Sequence, residues 1–216
     1  ADARAVELRA RADALGARAG GGAFRYARPD STFDAARVKG TIAELVRVRD
    51  ARMALALEVI AGGKLAHVVV RDDETAKLLI SRGKLQRRTT FVPLNRVAAR
   101  VLPPATLAAA RKLVGDENVW SPLALLEHAA DLAPAVAYAF GGALLCADAP
   151  TAKRLAFDRS VGVACVTLDG DLFSPTGTLT GGSRAPAGDG LLARAAALVA
   201  ARAEADAAEA LSLIHI

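Results

Sequence analysis

Two stretches of this 216-residue chain follow one plan, and this internal repeat limits the possible folds more than any other feature. They read IAGGKLAHVVVRDDETAKLLI (60–80) and AFGGALLCADAPTAKRLAF (139–157). In each, an apolar helix end leads through Gly-Gly to an aliphatic strand, an acidic turn and a helix opening with Thr-Ala-Lys. Thr75 and Thr151 are 151 − 75 = 76 positions apart, but Gly62 and Gly141 are 141 − 62 = 79 apart. We expect the three-residue difference to fall in the turn.

Each copy continues to another apolar strand, TTFVPL (89–94) in the first and VACVTL (163–168) in the second. Helix, strand, helix and strand in that order, twice, predict an α/β (α+β) domain built from two pseudo-symmetric βα halves. Ahead of the first copy, residues 36–48 are rich in β-branched side chains and predict a strand or hairpin. Residues 102–132 between the copies predict a helical connector in which Trp120 is an apolar anchor.

Both ends of the chain have the heptad spacing of helices. Residues 1–22 and 189–210 are rich in alanine and leucine, with seam positions at Ala5, Leu8, Ala12, Leu15 and Ala19, and at Leu191, Ala195, Leu198 and Ala205. Arg202 interrupts the second seam. Helices of about 20 residues are marginal alone in water. They are either surface helices packed on the domain or stubs of a coiled coil that continues elsewhere.

Glycine and proline set the limits of the middle domain, which we place at 24–184. The last six residues, 211–216, break the preceding Ala/Glu/Arg pattern, and we interpret them as a tail outside the fold. No apolar run approaches the roughly 20 residues needed to cross a bilayer, and the first residues lack a signal-peptide core. We therefore expect no membrane association.

A nucleotide site is not supported by the motifs. The phosphate-loop pattern G-x-x-x-x-G-K-[ST] is absent, since Leu65 and Leu85 follow the two Gly-Lys pairs. The glycine-rich run SPTGTLTGGSR (174–184) has a passing likeness to the signature loop of ABC-type ATPases, but that loop works only opposite a phosphate loop. Such a run could cradle an anion or allow another backbone to approach closely.

Side chains suited to catalysis or metal binding are also missing from recognisable patterns. The histidines are expected in a strand (His67), on a helix (His128) and in the excluded tail, without ligand spacing to the cysteines. Cys146 and Cys165 lie in apolar strands, where buried reduced thiols are expected. The acidic residues Asp72, Asp73 and Asp148 lie ahead of the Thr-Ala-Lys helices and are explained as cap and first-turn residues. We expect no catalytic residue, no metal and no cofactor.

One loop has the charge to meet phosphates. In SRGKLQRR (81–88) the cations Arg82, Lys84, Arg87 and Arg88 lie between a helix and a strand. A net charge of +5 is equally compatible with an ordinary solvated surface. Phe91 is the only aromatic residue nearby, and we expect it to face the core. DNA contact through Lys84, Arg87 and Arg88 would therefore be electrostatic.

Taken together, these stretches resemble the hinge domain of the Structural Maintenance of Chromosomes (SMC) family. The residues that carry the resemblance are RVKGTIAELVRV (37–48), the first repeat with TTFVPLNRV, and the second repeat through DLFSPTGTLTGG. The last two motifs look most like the condensin subunit-two class. The resemblance covers about Phe24 to Arg184 and implies coiled-coil stubs at both ends.

The resemblance also implies a function in pairing. A hinge of this kind would dimerise with another SMC hinge, and a heterodimer is expected for condensin. The implied interface positions are Gly141, Gly142, Gly177, Thr178, Thr180, Gly181 and Gly182. ATP hydrolysis would belong to head domains outside this chain, the setting would be the nucleus and its chromosomes, and DNA is a second candidate partner. Two alternatives remain: a small-molecule-binding α/β domain that uses the Gly-Gly turns, and an ATPase fragment.

Overall fold

A computed structural model describes residues 24–182 and 190–214, together with Glu7, Ala10 and Ala14. These three residues are helical and exposed, but the rest of the predicted first helix and the Gly20–Gly22 stretch lie outside the described residues. Ser183 and Arg184 also lie outside the described residues. No helix in the described ranges is both long and apolar enough to cross a membrane.

The described chain alternates short strands and helices, as the repeat predicts. The α-helices are α1 (Ile42–Leu45), α2 (Ala54–Ala61), α3 (Asp73–Arg82), α4 (Pro104–Val114), α5 (Ala133–Phe140), α6 (Ala149–Phe157) and α7 (Leu191–Ile214). The strands are β1 (Val38–Thr41), β2 (Arg47–Val48), β3 (Val68–Val70), β4 (Phe91–Pro93), β5 (Val119–Trp120), β6 (Leu126–Glu127), β7 (Ala143–Cys146), β8 (Ala164–Thr167), β9 (Leu172–Phe173) and β10 (Leu179–Thr180).

The strands form one sheet in each half and a small third sheet. The first sheet has the order β1-β3-β4, and the second has the order β10-β9-β8-β7-β5. In each half one pair of strands is parallel, β3 with β4 and β7 with β8, and a helix, α3 or α6, connects the pair. The predicted pseudo-symmetric α/β halves are therefore confirmed. Strands β2 and β6 pair separately.

The length difference between the repeats is not in the acidic turn. The first Gly-Gly pair opens a five-residue 3-10 helix, Gly62–Ala66, before β3 begins. In the second copy, Gly142 leads directly into β7. The acidic turns themselves match, because Asp72 and Asp148 are both N-caps whose carboxylates accept the backbone N–H three residues later, at 2.8 and 2.9 Å. The extra residues thus precede the strand.

The acidic residues at the start of α3 are its N-cap, Asp72, and a first-turn residue, Asp73, as expected. Asp72 accepts from Thr75, and this hydrogen bond is the main reason that its pKa falls to about 2. Asp73 accepts from the Asn95 amide at 2.9 Å and from Lys77 at 3.0 Å, and these bonds also lower its pKa to about 2. Both carboxylates are ionised near neutral pH, where they favour the positive end of the helix.

Two local predictions need correction, and a third holds in part. The strand predicted within residues 36–48 is present as β1, but the one-turn helix α1 and the two-residue strand β2 follow it, so the segment is not a hairpin. The stretch 102–132 contains α4 but also β5 and β6, so it is only partly helical. His128 follows β6 in an irregular segment, where its Nδ1 lies 2.8 Å from the Ala129 carbonyl oxygen.

One apolar core joins the two halves. Leu57 and Val69 of the first half and Phe140, Leu145 and Val166 of the second are buried in the same cluster. A second cluster lies between the second sheet and helices α4 and α6, and a third lies around β3 and α3. Lys64 adds a polar tie between the halves, because its Nζ donates to the Tyr138 carbonyl oxygen at 3.0 Å near the end of α5.

Helix α7 packs on the domain along its first turns. The predicted seam residues Ala195, Leu198 and Ala205 are buried, as is Leu192. The Glu58 carboxylate accepts the Leu192 N–H at 2.8 Å and so satisfies an unpaired donor at the start of the helix. Arg202, which interrupts the seam, pairs with Glu44 at 3.2 Å. The helix runs to Ile214, so four residues that we assigned to a tail continue it.

Candidate hinge interface and basic loop

The glycine-rich run forms a β-hairpin at the edge of the second sheet. Leu179 pairs with Phe173 and Thr180 with Leu172, and β10 is the terminal strand. The tip is a turn in which the Gly177 N–H donates to the Ser174 carbonyl oxygen at 3.0 Å. Gly177 has a φ of +92°, a conformation that glycine adopts far more readily than other residues. An outer edge of this kind can add a strand from another chain.

The predicted interface residues of the hairpin lie on its surface. Gly177, Thr178, Thr180, Gly181 and Gly182 are all exposed. Gly182 has a φ of +132°, and a Cβ added there would meet no atom within 4 Å. At Gly181, in contrast, a Cβ would meet the Asp171 carboxylate of the same hairpin. Contacts within the hairpin therefore explain the glycine at 181, because a side chain there has no room beside Asp171. Backbone conformation explains the glycine at 182.

The Gly-Gly pair before β7 divides into a buried and an exposed residue. Gly141 is buried, and a Cβ there would lie 2.6 Å from the Ala137 carbonyl oxygen and 3.1 Å from that of Arg100. Its own carbonyl oxygen accepts the Leu102 N–H at 2.9 Å. Contacts within the chain thus explain Gly141. Gly142 is exposed, and the nearest contact of a Cβ there would be the Arg100 carbonyl oxygen at 3.8 Å, so no described neighbour requires glycine at this position.

Leu179 is the interface candidate that the sequence reasoning missed. Its side chain is 63% exposed, although leucine is among the residues most often buried. The signal was present, since Leu179 is the one large apolar residue of TGTLTGG and lies between Thr178 and Thr180. A large apolar side chain on an unpaired sheet edge is suited to burial against another protein.

The basic loop lies between α3 and β4, as predicted. Lys84, Arg87 and Arg88 are exposed, and no described carboxylate lies within ion-pair distance of them. Lys84 has a φ of +46°, the only positive φ among the described residues other than glycine. Phe91 is half-buried and contacts Phe24 edge to face, with a centroid distance of 5.5 Å. The loop is therefore charged and free of ion pairs, with its nearest ring engaged in the small third cluster.

The cysteines and the central histidine have structural environments. Cys146 and Cys165 are buried on adjacent strands, and hydrogen bonding to Cys165, together with burial, raises the pKa of the Cys146 thiol. A raised pKa disfavours the nucleophilic thiolate. His67 lies 3.3 Å from the Tyr138 hydroxyl, and burial followed by the charge of Lys64 lowers its pKa. Within the described part of the chain, no group of three or more metal-ligating side chains is assembled.

The comparisons with known proteins agree with this geometry. Human Structural maintenance of chromosomes protein 2 is 42% identical over 164 residues, and protein 2-1 of Arabidopsis thaliana is 43% identical over 168 residues. These alignments cover 76% and 78% of this chain but 14% of each relative. The chain therefore spans about a seventh of the length of these relatives.

Solved structures show the same fold. The SMC hinge domain of Geobacillus stearothermophilus, crystallised as an asymmetric dimer, matches with a TM-score of 0.64 and 26% identity over 97% of this chain and 85% of that one. A Pyrococcus furiosus Smc hinge domain with an extended coiled coil matches with a TM-score of 0.55 and 25% identity, over 96% of this chain and 70% of that one.

The family model of the SMC proteins Flexible Hinge Domain matches residues 35–156. That range contains 156 − 35 + 1 = 122 of the 216 residues, which is more than half of the chain, and it includes both Gly-Gly pairs and the basic loop. The hairpin lies beyond it. The chain belongs to the family of SMC flexible hinge domains.

Proposed function

We propose that this domain is the dimerisation hinge of a condensin-type SMC protein and pairs with a different SMC hinge. The observation that carries the proposal is the edge of β10 that no described strand pairs with, where Leu179 is 63% exposed beside exposed threonines and glycines. Strand addition at such an edge supplies backbone hydrogen bonds, and the leucine supplies apolar area. The proposed contact residues are Leu179 together with the exposed members of the set that the resemblance implied, namely Gly142, Gly177, Thr178, Thr180, Gly181 and Gly182.

The relatives support the class of partner. The human relative carries the name Structural maintenance of chromosomes protein 2 and the Arabidopsis relative the name protein 2-1, and the G. stearothermophilus hinge was crystallised as a dimer. In the full-length protein, ATP hydrolysis would lie in other domains, and the setting would be the chromosomes of a nucleus. The small-molecule alternative is not favoured, because two grooves of about 490 and 480 Å³ are lined by residues other than the Gly-Gly turns.

Sedimentation velocity tests the pairing. We expect the chain alone to sediment as a monomer or weak dimer, and to form a 1:1 complex when mixed with the hinge fragment of one other SMC class from the same source. A standard interface buries about 1,600 Å² in total, but that area does not decide the partner, so each class must be tested. A chain that stays monomeric with every hinge fragment would contradict the proposed function.

DNA contact is a second function, favoured by the conformation of Lys84. A left-handed backbone costs an ordinary residue about 1 kcal/mol, and glycine would avoid that cost. A lysine in this conformation, beside Arg87 and Arg88, which no described carboxylate pairs with, suits a loop that binds phosphates. The contact would add sequence-independent affinity, which weakens as the salt concentration rises.

Lys84→Gly removes both the backbone strain and the positive charge, and two separate measurements report the two effects. We expect its free energy of unfolding to rise by up to about 1 kcal/mol, because glycine relieves the strain. We expect its affinity for a 30-base-pair duplex to fall, with the slope of log affinity against log salt reduced by about 0.9. Fluorescence anisotropy at several salt concentrations and urea titration measure the two effects.

Lys77→Gln is the matched control, because the Lys77 ammonium already pairs with Asp73 at 3.0 Å and lies outside the loop. We expect the salt slope of Lys77→Gln to equal that of the unchanged chain. An equal slope for Lys84→Gly would rule out a phosphate contact at Lys84.

A further inference from the structure

We infer that the exposed C-terminal end of α6 is a docking surface for an acidic protein segment that carries one large apolar side chain. We call this the α6 surface, and it consists of Lys153, Arg154, Phe157 and Arg159. All four side chains are exposed. The surface is distinct from the β10 edge and does not depend on hinge pairing.

Phe157 is exposed on a helix whose apolar face is already complete. Ala152, Leu155 and Ala156 are buried against the second sheet and α4, and they account for the packing of α6. Phe157 follows them but is 47% exposed. Lys153 and Arg154 precede it by four and three residues, so all three side chains share one face of the helix. The ring is therefore available to a partner and flanked by cations.

The first repeat shows that the fold does not require this arrangement. With the offset of 76 between Thr75 and Thr151, the counterpart of Phe157 is residue 157 − 76 = 81, which is a serine whose hydroxyl bonds to its own helix. The counterpart of Arg154 is Leu78, which is half-buried. At these two positions the second copy has an exposed ring where the first has a serine, and a cation where the first has a leucine.

The same comparison explains why Lys153 has a free charge. Its counterpart Lys77 pairs with Asp73 one turn earlier at 3.0 Å. In the second copy the residue equivalent to Asp73 is 73 + 76 = 149, which is an alanine. No ion pair to Lys153 or Arg159 occurs among the described side chains, so both cations can pair with carboxylates of a partner.

The charges favour an acidic peptide over a nucleic acid. Asp158 lies within the same end of the helix, where hydrogen bonds from Ser160 and then the charge of Arg154 lower its pKa. This carboxylate and the negative end of the helix interrupt the positive charge between Arg154 and Arg159, so the surface suits a few separate carboxylates better than an evenly charged chain of phosphates. Binding of single strands also depends on several stacking rings, whereas this surface has only Phe157. One apolar anchor with separate carboxylates around it fits better.

Selection from a phage-displayed library of random 12-residue peptides, with the full chain as bait, tests the surface. We expect the enriched peptides to carry acidic residues within three positions of a leucine, phenylalanine or tryptophan. Fluorescein-labelled copies of these peptides should bind at least about tenfold more weakly to Phe157→Ser and to Arg154→Glu, and more weakly at high salt. The control Ile80→Ser removes an exposed apolar side chain from α3 and should leave the affinity unchanged.

Three outcomes would overturn the inference. The first is a selection without enriched peptides, or with peptides that bind Phe157→Ser as tightly as the unchanged chain. The second is a loss of affinity for a labelled 30-nucleotide single strand in Phe157→Ser without a loss for the peptides, which would assign the surface to nucleic acid. The third is a loss of hinge pairing by Phe157→Ser in sedimentation velocity, which would place the surface in the hinge interface.

Discussion

Leu179→Asp is expected to separate the paired hinge into single chains while each chain stays folded. The side chain is 63% exposed on the terminal strand β10, so its replacement removes no core packing. In the proposed complex the leucine is buried, and its loss costs about 2 kcal/mol. A carboxylate in its place would also have to lose its hydration, which costs several kcal/mol more. We expect the affinity between the two hinges to fall at least about 100-fold.

Sedimentation velocity of the mixed hinges measures this effect, with circular dichroism to show that the fold persists. Ile80→Asp is the matched control, because Ile80 has the same exposed fraction of 63% but lies on α3. Equal weakening by the two variants would indicate a general effect of charge. Unchanged pairing of Leu179→Asp would remove β10 from the interface.

Bulky replacements at Gly181 and Gly182 are a less selective test of the same edge. A side chain at Gly181 would displace the Asp171 carboxylate within its own hairpin, and Gly182 has a φ of +132° that other residues adopt at a cost. A loss of pairing in such variants could arise from a distorted hairpin. Leu179 avoids this difficulty because its backbone is ordinary strand and its side chain contacts the solvent.

Local patterns in the sequence predicted the features that depend on nearby residues. The helix caps at Asp72 and Asp148, the order of helices and strands in the two halves and the basic loop all follow from repeats and spacing over short distances. The 3-10 helix at Gly62–Ala66 was missed, because a length difference between repeats does not say on which side of the strand it falls.

The candidate site was harder to predict because tertiary contacts decide it. A Cβ at Gly141 would meet the carbonyl oxygen of Ala137 on the preceding helix and also that of Arg100, which lies 141 − 100 = 41 residues earlier, and no local pattern shows this second contact. The exposure of Leu179 depends on β10 being the last strand of its sheet, which is a property of the strand order. Glycine spacing located the hairpin, but the order of the strands identified its exposed leucine.

Phe140→Ala is expected to destabilise both halves of the domain together. The Phe140 side chain is fully buried at the end of α5, in the cluster that also contains Leu57 and Val69 of the first half. Truncation of a buried phenylalanine to alanine leaves a cavity and typically costs 3–5 kcal/mol, or about 10 °C in Tm for a domain of this size. Because one core serves both halves, we expect them to unfold in a single transition.

Hydrogen exchange and urea titration distinguish joint from separate unfolding. In Phe140→Ala the amides of β3 in the first half should lose as much protection as those of β7 in the second. Phe157→Ala is the control, because its ring is 47% exposed, and it should cost less than about 1 kcal/mol. Protection that persists in β3 while β7 exchanges would mean that the pseudo-symmetric halves are independent folding units. A hinge built that way could unfold in one half while the other half kept its contacts. With a shared core, a force that destabilises either half destabilises both.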